Sequence, residues 1–322
     1  MINNRERFKL SVIVPCFNEQ DVIRITHMEL IKSISCIDNF EIIYINDGSS
    51  DTTLQILLEL RDKCPYVKIV SFSRNFGHQP AVLAGLEYSS GDCVAIIDAD
   101  LQDPPHLIPK MVDLWRSGYD VIYAVRKKRK ESLFKRFAYF TYYRLQANLS
   151  EINIQVDSGD FSLIDKRLVN ILRDLPERNK YLRGLRAWTG FKQKELIYER
   201  NSRKAGVTKY SYKLLLKLAI NGITNFSTIP LRIVSVCGLV LFSISILLFV
   251  LIFIHKMVGF KIFGVSPNDV PGWTSIILFF LLFSSMNFIF LGIIGEYMAK
   301  IYEEVKNRPS FIVDSIYGFD NE

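Results

Sequence analysis

Cysteine is scarce and scattered. The 322-residue chain has five, at positions 16, 36, 64, 93 and 237, with no Cys-x-x-Cys pair. Nothing therefore points to a disulfide scaffold, a zinc ribbon or a dithiol redox motif, and the five read as reduced thiols. No Gly-x-Gly-x-x-Gly follows the first strand-like run and no P-loop occurs. This removes the two best-known phosphate cradles. No internal repeat or low-complexity linker divides the chain.

Charge is also missing from two stretches, Ile233 to Ile254 and Trp273 to Ile294, each 22 residues without Asp, Glu, Lys, Arg or His. A helix of that length is about 33 Å long, enough to cross a hydrocarbon core. Two transmembrane helices are expected, and their place near the C-terminus excludes a signal peptide. Lys and Arg are abundant before the first stretch, and Lys300, Lys306 and Arg308 follow the second, whereas 255–272 has only Lys256 and Lys261. This asymmetry predicts both termini on the cytoplasmic side. The expected organisation is a cytoplasmic domain over 1–228 with juxtamembrane amphipathic helices, a two-helix membrane region over 229–299 and a cytoplasmic tail over 300–322.

The net charge of +7 belongs to the soluble part, because residues 229–322 carry six Lys and Arg against seven Asp and Glu. Beside a membrane anchor, a basic domain points to anionic headgroups or phosphorylated substrates rather than to nucleic acid. Residues 131–150 and 210–226 interleave aromatic and aliphatic residues with Lys and Arg. Both are expected to be amphipathic helices at a membrane interface.

In the first 124 residues β-rich runs alternate with helical patterns. Strands are expected at Leu10 to Pro15, Phe40 to Asn46, Val67 to Phe72, Cys93 to Asp98 and Asp120 to Ala124. The alternation predicts an α/β fold on a mostly parallel sheet, whose ligands collect at the carboxyl ends of the strands. Asp47, Arg74, Asn75, Asp98 and Asp100 all lie just past such ends. The run Val94 to Ile97 ends in Asp98-Ala-Asp100, two carboxylates on one side of an extended backbone. Like charges so close call for a cation or strong donors, and hard oxygen ligands suit Mg²⁺ or Mn²⁺ with positions kept for substrate phosphates. The plain alternative is a polar turn before a helix opened by Pro104 or Pro105. For Asp47 and Ser50 it is a turn or cap.

These blocks, in order, resemble the polyprenyl-phosphate glycosyltransferases of family 2 with the GT-A fold. The group includes dolichol-phosphate mannose synthase and the bactoprenol (undecaprenyl-phosphate) glucosyltransferases of O-antigen and lipopolysaccharide modification. The resemblance rests on Ser11 to Glu19, Ile45 to Asp51, Ser73 to Gly77, Asp98 to Pro105, Gly159 to Phe161, Leu175 to Asn179, Ala205 to Tyr210, Gly295 to Tyr297 and Glu304 to Pro309. It implies that Pro15, Asn18, Glu19 and Asp47 surround the nucleotide, with Arg74, Asn75 and Asp98 in the same donor site. Asp98, Asp100 and Gln102 would hold Mg²⁺ or Mn²⁺. Asp160 would be a catalytic carboxylate facing the sugar, and Arg126, Arg203 and Lys209 would bind lipid phosphate. Val207-Thr208 departs from the common Glu-Ser and removes a carboxylate from that loop.

The resemblance implies an inverting transfer of a hexose, glucose by default, from a UDP-sugar to undecaprenyl phosphate at the cytoplasmic face of a bacterial inner membrane. Galactose, N-acetylhexosamine and mannose stay open as the sugar. A processive polysaccharide synthase is the alternative enzyme. It needs a Gln-x-x-Arg-Trp motif, where this chain has Leu185-Arg-Ala-Trp188 without the Gln. A noncatalytic scaffold or lipid carrier is the alternative of another class. Gly292 and Gly295 permit close helix contact and leave a homo-oligomer open.

Overall fold

The computed structural model describes residues 5–126, 158–177, 180–198 and 272–319, with the isolated positions 240 and 247. The amphipathic segments 131–150 and 210–226, most of the first predicted span, and Arg203 and Lys209 lie outside the described residues. The chain divides into one unit of Met1–Tyr212 with Asn307–Glu322 and another of Lys213–Lys306.

In the first unit, β1 (Leu10–Cys16), β2 (Phe40–Asn46), β3 (Val67–Phe72) and β4 (Cys93–Ile96) alternate with α1 (Ile23–Ile34), α2 (Thr53–Lys63) and α3 (His78–Tyr88). A short 3₁₀ turn at Pro105–Leu107 leads into α4 (Ile108–Arg116), and β5 (Val121–Arg126) follows. After β6 (Ser158–Asp165) come α5 (Lys166–Asp174), α6 (Leu182–Trp188) and β7 (Gln193–Tyr198). Asp165 starts α5 as its cap, its carboxylate accepting the Arg167 backbone N–H. β1 and β2 are near-continuous apolar runs buried along almost their whole length, as expected for strands covered on both faces. Each fully buried Ile or Leu there contributes roughly 1.5–3 kcal/mol.

One sheet of eight strands results, in the order β7-β5-β6-β4-β1-β2-β3-β8, with β8 at Val313–Tyr317. Its centre, β4-β1-β2-β3, is parallel as expected. The whole is mixed rather than mostly parallel, because β6 runs antiparallel to both β4 and β5, and β8 antiparallel to β3. The apolar run Phe161 to Ile164 is what inserts β6 between them, with Phe161, Ser162, Leu163 and Ile164 all buried. Residues 313–317, placed in a tail by the sequence reading, form the edge strand of the sheet.

Direction decides the function of these two strands. An antiparallel β6 pairs Ile96 with Ser162 and Cys93 with Asp165, so its first residues lie at the carboxyl end of β4. β8 likewise starts beside the carboxyl end of β3, Val313 pairing with Phe72. Chain order reverses across β1, flanked by β2 and β4. That places the topological switch point between β1 and β4, where open α/β sheets bind ligands.

In the second unit the described part is α7 (Gly272–Val305), 34 residues containing the uncharged stretch Trp273 to Ile294. Ile276, Phe279, Phe280, Phe283 and Leu291 on it are exposed. Among the described residues no helix is long and apolar enough to cross a membrane.

Candidate active site

At the switch point the ends of β1, β2 and β4 and the start of α3 enclose a cleft of ≈ 250 Å³, lined by Pro15, Cys16, Phe17, Glu19, Asp47, Asn75, Gly77, His78, Ala81, Asp98, Ala99 and Asp100. Six of the residues expected there from sequence, Pro15, Glu19, Asp47, Asn75, Asp98 and Asp100, are brought together. Asn18, Arg74 and Gln102 stand beside the cleft and shape its loops.

Two loops are stitched at its β1–β2 end. Asn18 takes a positive φ of 54° and its side-chain oxygen accepts the Ser50 backbone N–H at 2.8 Å. The Asn18 N–H donates to Ser49 Oγ at 3.0 Å and the Glu19 N–H to Thr53 Oγ1 at 2.9 Å. Asp51 accepts the Thr53 N–H at 2.9 Å, which makes it the side chain that satisfies the start of α2.

Asp47 organises a third loop. Its carboxylate accepts N–H groups of Phe76 at 2.7 Å and Gly77 at 3.0 Å, and Asn75 Nδ2 at 3.0 Å. Burial raises its carboxyl above the usual range, opposed by those N–H donors and by His78 and Arg74. Gly48, at φ +61°, lies so close to this loop that a Cβ would fall 2.3 Å from the Arg74 carbonyl carbon. Arg74 stacks its guanidinium over Phe76, 4.1 Å from the ring centre.

The acidic loop after β4 is pinned at three points. Thr26 Oγ1 donates to the Ala99 carbonyl at 2.6 Å, the Gln102 backbone N–H to Asp100 Oδ1 at 3.1 Å, and the Tyr198 hydroxyl to Asp103. Between them Leu101 is held at φ +57°. A bulky residue rarely adopts that conformation, and such strain persists where neighbours over-determine it, typically at functional sites.

Electrostatics concentrate at Asp98 and Asp160. Enclosure pushes the Asp98 carboxyl up to about 6, with His78 opposing and Asp160, Asp103 and Asp100 adding to the rise. Asp160 goes the other way. Burial would raise it, but Arg183 and His78 hold it well below the carboxylate range. Arg183 Nε donates to Asp160 Oδ1 at 2.8 Å and Nη2 to Oδ2 at 2.9 Å. His78 Nε2 lies 3.3 Å from Asp160 Oδ2 and 3.7 Å from Asp98 Oδ1. Burial lowers this imidazole, and the two aspartates outweigh it and raise it to about 9. Asp160 is therefore an anion with three donors, a poor proton acceptor and a good fixed charge.

Among the described residues no group of three or more His, Cys, Asp and Glu is placed to hold a metal. Asp98 and Asp100 fit a different type of site, in which one or two carboxylates bind Mg²⁺ or Mn²⁺ and substrate phosphates complete the shell. The raised Asp98 carboxyl fits it too, since crowded acids gain from a cation.

Sequence reasoning missed His78, Arg183, Arg186 and Tyr198. His78 stands right after the Arg74-Asn75-Phe76-Gly77 block, and Arg183 and Arg186 sit three apart on one helical turn. That spacing is their only local signal. Arg126 closes β5 opposite Tyr198.

The sequence model described as glycosyl transferase family 2 matches residues 11–172. "Uncharacterized glycosyltransferase YkcC" of Bacillus subtilis is 42% identical, over 97% of this chain and 95% of its own length. The SfII prophage-derived bactoprenol glucosyl transferase of Shigella flexneri is 38% identical, over 95% of this chain and 97% of its own. Among solved structures, glucosyl-3-phosphoglycerate synthase from Mycobacterium tuberculosis, in complex with Mn²⁺, UDP and phosphoglyceric acid, aligns at 20% identity and a TM-score of 0.48. That alignment covers 69% of this chain and 80% of that one. The mixed α/β sheet, the acidic loop at its switch point and relatives matched along nearly the whole chain agree: the chain belongs to glycosyl transferase family 2.

Proposed function

We propose that this glycosyltransferase moves glucose from UDP-glucose to undecaprenyl phosphate at the cytoplasmic face of a bacterial inner membrane, with inversion at the anomeric carbon. The observation that carries the reading is the cleft itself. Asp98 and Asp100 share it with the Asp47 loop at the sheet's switch point, a place suited to a nucleotide diphosphate. The acceptor is argued from the bactoprenol glucosyl transferase that matches this chain along its length. The membrane is argued from the two uncharged stretches.

In this reading an oxygen of the acceptor phosphate forms the new bond to the sugar's anomeric carbon. The bond from that carbon to the β-phosphate oxygen breaks, and the electron pair leaves on the diphosphate. A phosphomonoester has its second pKa at about 6, so the acceptor is largely dianionic at neutral pH and needs no strong base. Asp160, held as an anion, is suited to accepting a hydrogen bond from a sugar hydroxyl and to opposing charge build-up at the wrong place. Asp98 and Asp100, with Gln102, would hold Mg²⁺ or Mn²⁺, which when bound neutralises charge on the departing diphosphate. Arg126, Arg203 and Lys209 are proposed for the lipid phosphate. Glucose, the O-antigen or other envelope glycan that receives it, and a homo-oligomer belong to the same proposal.

The test is incorporation of label into lipid by membranes containing the chain, supplied with undecaprenyl phosphate and labelled UDP-glucose, UDP-galactose, UDP-N-acetylglucosamine or GDP-mannose. UDP-glucose is expected to label the lipid in a Mg²⁺- or Mn²⁺-dependent way, and Asp100→Ala to abolish labelling without loss of folded protein. Label from another donor overturns the glucose assignment. Unimpaired turnover of Asp100→Ala overturns the role of the acidic loop.

A further inference from the structure

The Gly159-Asp160 start of β6 is held through both of its carbonyls and through the Asp160 carboxylate. The Gly159 carbonyl accepts Arg186 Nη2 at 3.2 Å, the Asp160 carbonyl accepts the Ser162 hydroxyl at 2.9 Å, and the Asp160 carboxylate takes both prongs of Arg183. Arg183 and Arg186 both come from α6, three residues apart and thus on neighbouring positions of one face. Leu182 and Leu185 of the same helix are buried in the core, 5% and 2% exposed. Apolar burial thereby sets the register at which the two guanidinium groups meet β6.

We propose that Arg183 is a positioning residue for glycosyl transfer, with Arg186 as its backbone companion: together they fix the plane and depth of the Asp160 carboxylate beside Asp98. The proposal deepens the transferase reading above and rests on it. Its physical basis is the fork geometry. Two parallel N–H bonds from one planar guanidinium define both the position and the rotation of a carboxylate, which a single contact cannot do. His78 approaches Oδ2 from α3 at 3.3 Å, a third contact on the same carboxylate. The carboxylate end of the pair is sheltered, with Asp160 14% exposed, while the Arg183 side chain is half-buried at 36%. The fork therefore competes less with water than a surface pair does.

A misplacement of about 1 Å in a catalytic group can cost about 10²-fold in rate. Arg183→Gln is thus expected to lower the turnover number by about 10- to 100-fold while the donor KM moves by less than about three-fold. Arg183→Lys should regain little, because an ammonium keeps the charge but not the two-pronged contact. The decisive measurement is the double variant Asp160→Asn with Arg183→Gln. If Arg183 acts through the Asp160 carboxylate, the double variant is no slower than Asp160→Asn alone.

Losses that multiply instead overturn the proposal. So does a raised KM for undecaprenyl phosphate at wild-type turnover, which would make Arg183 a direct ligand of the lipid phosphate. The coupling is a ratio among variants on whichever donor the wild type consumes, with UDP-galactose and GDP-mannose run beside UDP-glucose. A wrong sugar in the proposed function leaves this ratio intact, and a failed coupling leaves the transferase reading intact. Should Arg183→Gln not fold, as judged by circular dichroism, the Lys variant and its double with Asp160→Asn supply the same comparison.

Discussion

Carboxylates of this chain have opposite fates at the two edges of one sheet. At the amino edge Glu41 is closed off: Lys9 Nζ lies 2.8 Å and Lys68 Nζ 3.0 Å from its Oε2, and Ser11 Oγ and the Ser90 N–H donate to its Oε1. At the carboxyl edge Asp98 and Asp100 line an open cleft. Burial alone would raise Glu41, but Lys9, Ser11, Ser90 and Lys68 reverse this and bring it to about 2. The folded value lies below the unfolded one, so the stabilisation is complete above about pH 4.5 and is lost as pH falls toward 2; it amounts to roughly 3 kcal/mol. Glu41→Ala is expected to destabilise the chain by about 3–5 kcal/mol at pH 7 and to flatten the acid limb of its melting temperature against pH between about 4.5 and 2. An unchanged acid limb would refute the assignment. Asp98-x-Asp100 was legible in sequence because a strand end and a spacing of two are local facts. The partners of Asp160 were not, since residues 78, 160 and 183 converge only through tertiary packing.

The elements show the same division. β1 to β4 could be read from their apolar runs, with ends agreeing to within two residues. The antiparallel course of β6 could not, because periodicity carries no direction. β8 was hidden by its brevity and by the long helix before it. Its placement has a consequence for the Asp47 loop. Phe311, just before β8, stacks on Phe72 with centroids 5.0 Å apart; Phe72 meets Phe76 edge-on at 5.7 Å, and the Ser73 N–H donates to the Ile312 carbonyl at 3.1 Å. Phe76 and Gly77 are the residues whose N–H groups hold Asp47. The C-terminal segment thus buttresses the loop that holds Asp47, the one proposed to meet the nucleotide. An aromatic pair of this kind contributes about 0.5–1.5 kcal/mol beyond its buried area, so Phe311→Ala is expected to weaken UDP binding by about two- to ten-fold. Titration calorimetry in the presence of Mn²⁺ measures this, and unaltered affinity would show that β8 closes the sheet edge without supporting the site.

At the scale of the whole molecule, the edge strand constrains the path of the chain. β3 and β8 are hydrogen-bonded neighbours in one sheet, so residues 67–72 and 313–317 lie on the same side of any membrane. The chain leaves that unit after Tyr212 and re-enters it at Asn307. Any crossings in between must be even in number, none or two, and a single span is excluded whatever the flanking charges. Two is the number of uncharged 22-residue stretches in that interval, and in the function proposed above the basic residues flanking them put the common side in the cytoplasm. Sheet pairing excludes an odd count of crossings, and charge asymmetry is the argument for the proposed orientation. Its test is a cysteine at Ser266, between the two stretches, against a cysteine at the exposed Asp314 of β8. Ser266→Cys is expected to react with a membrane-impermeant maleimide added outside intact cells. Asp314→Cys should react only after the membrane is opened, as should the native exposed Cys36. Labelling of Asp314→Cys and Cys36 from outside, with Ser266→Cys silent, would leave the even count standing and reverse the orientation. Labelling of Asp314→Cys but not Cys36 would break the shared sheet itself, and with it the path by which β8 reaches the Phe76–Gly77 loop.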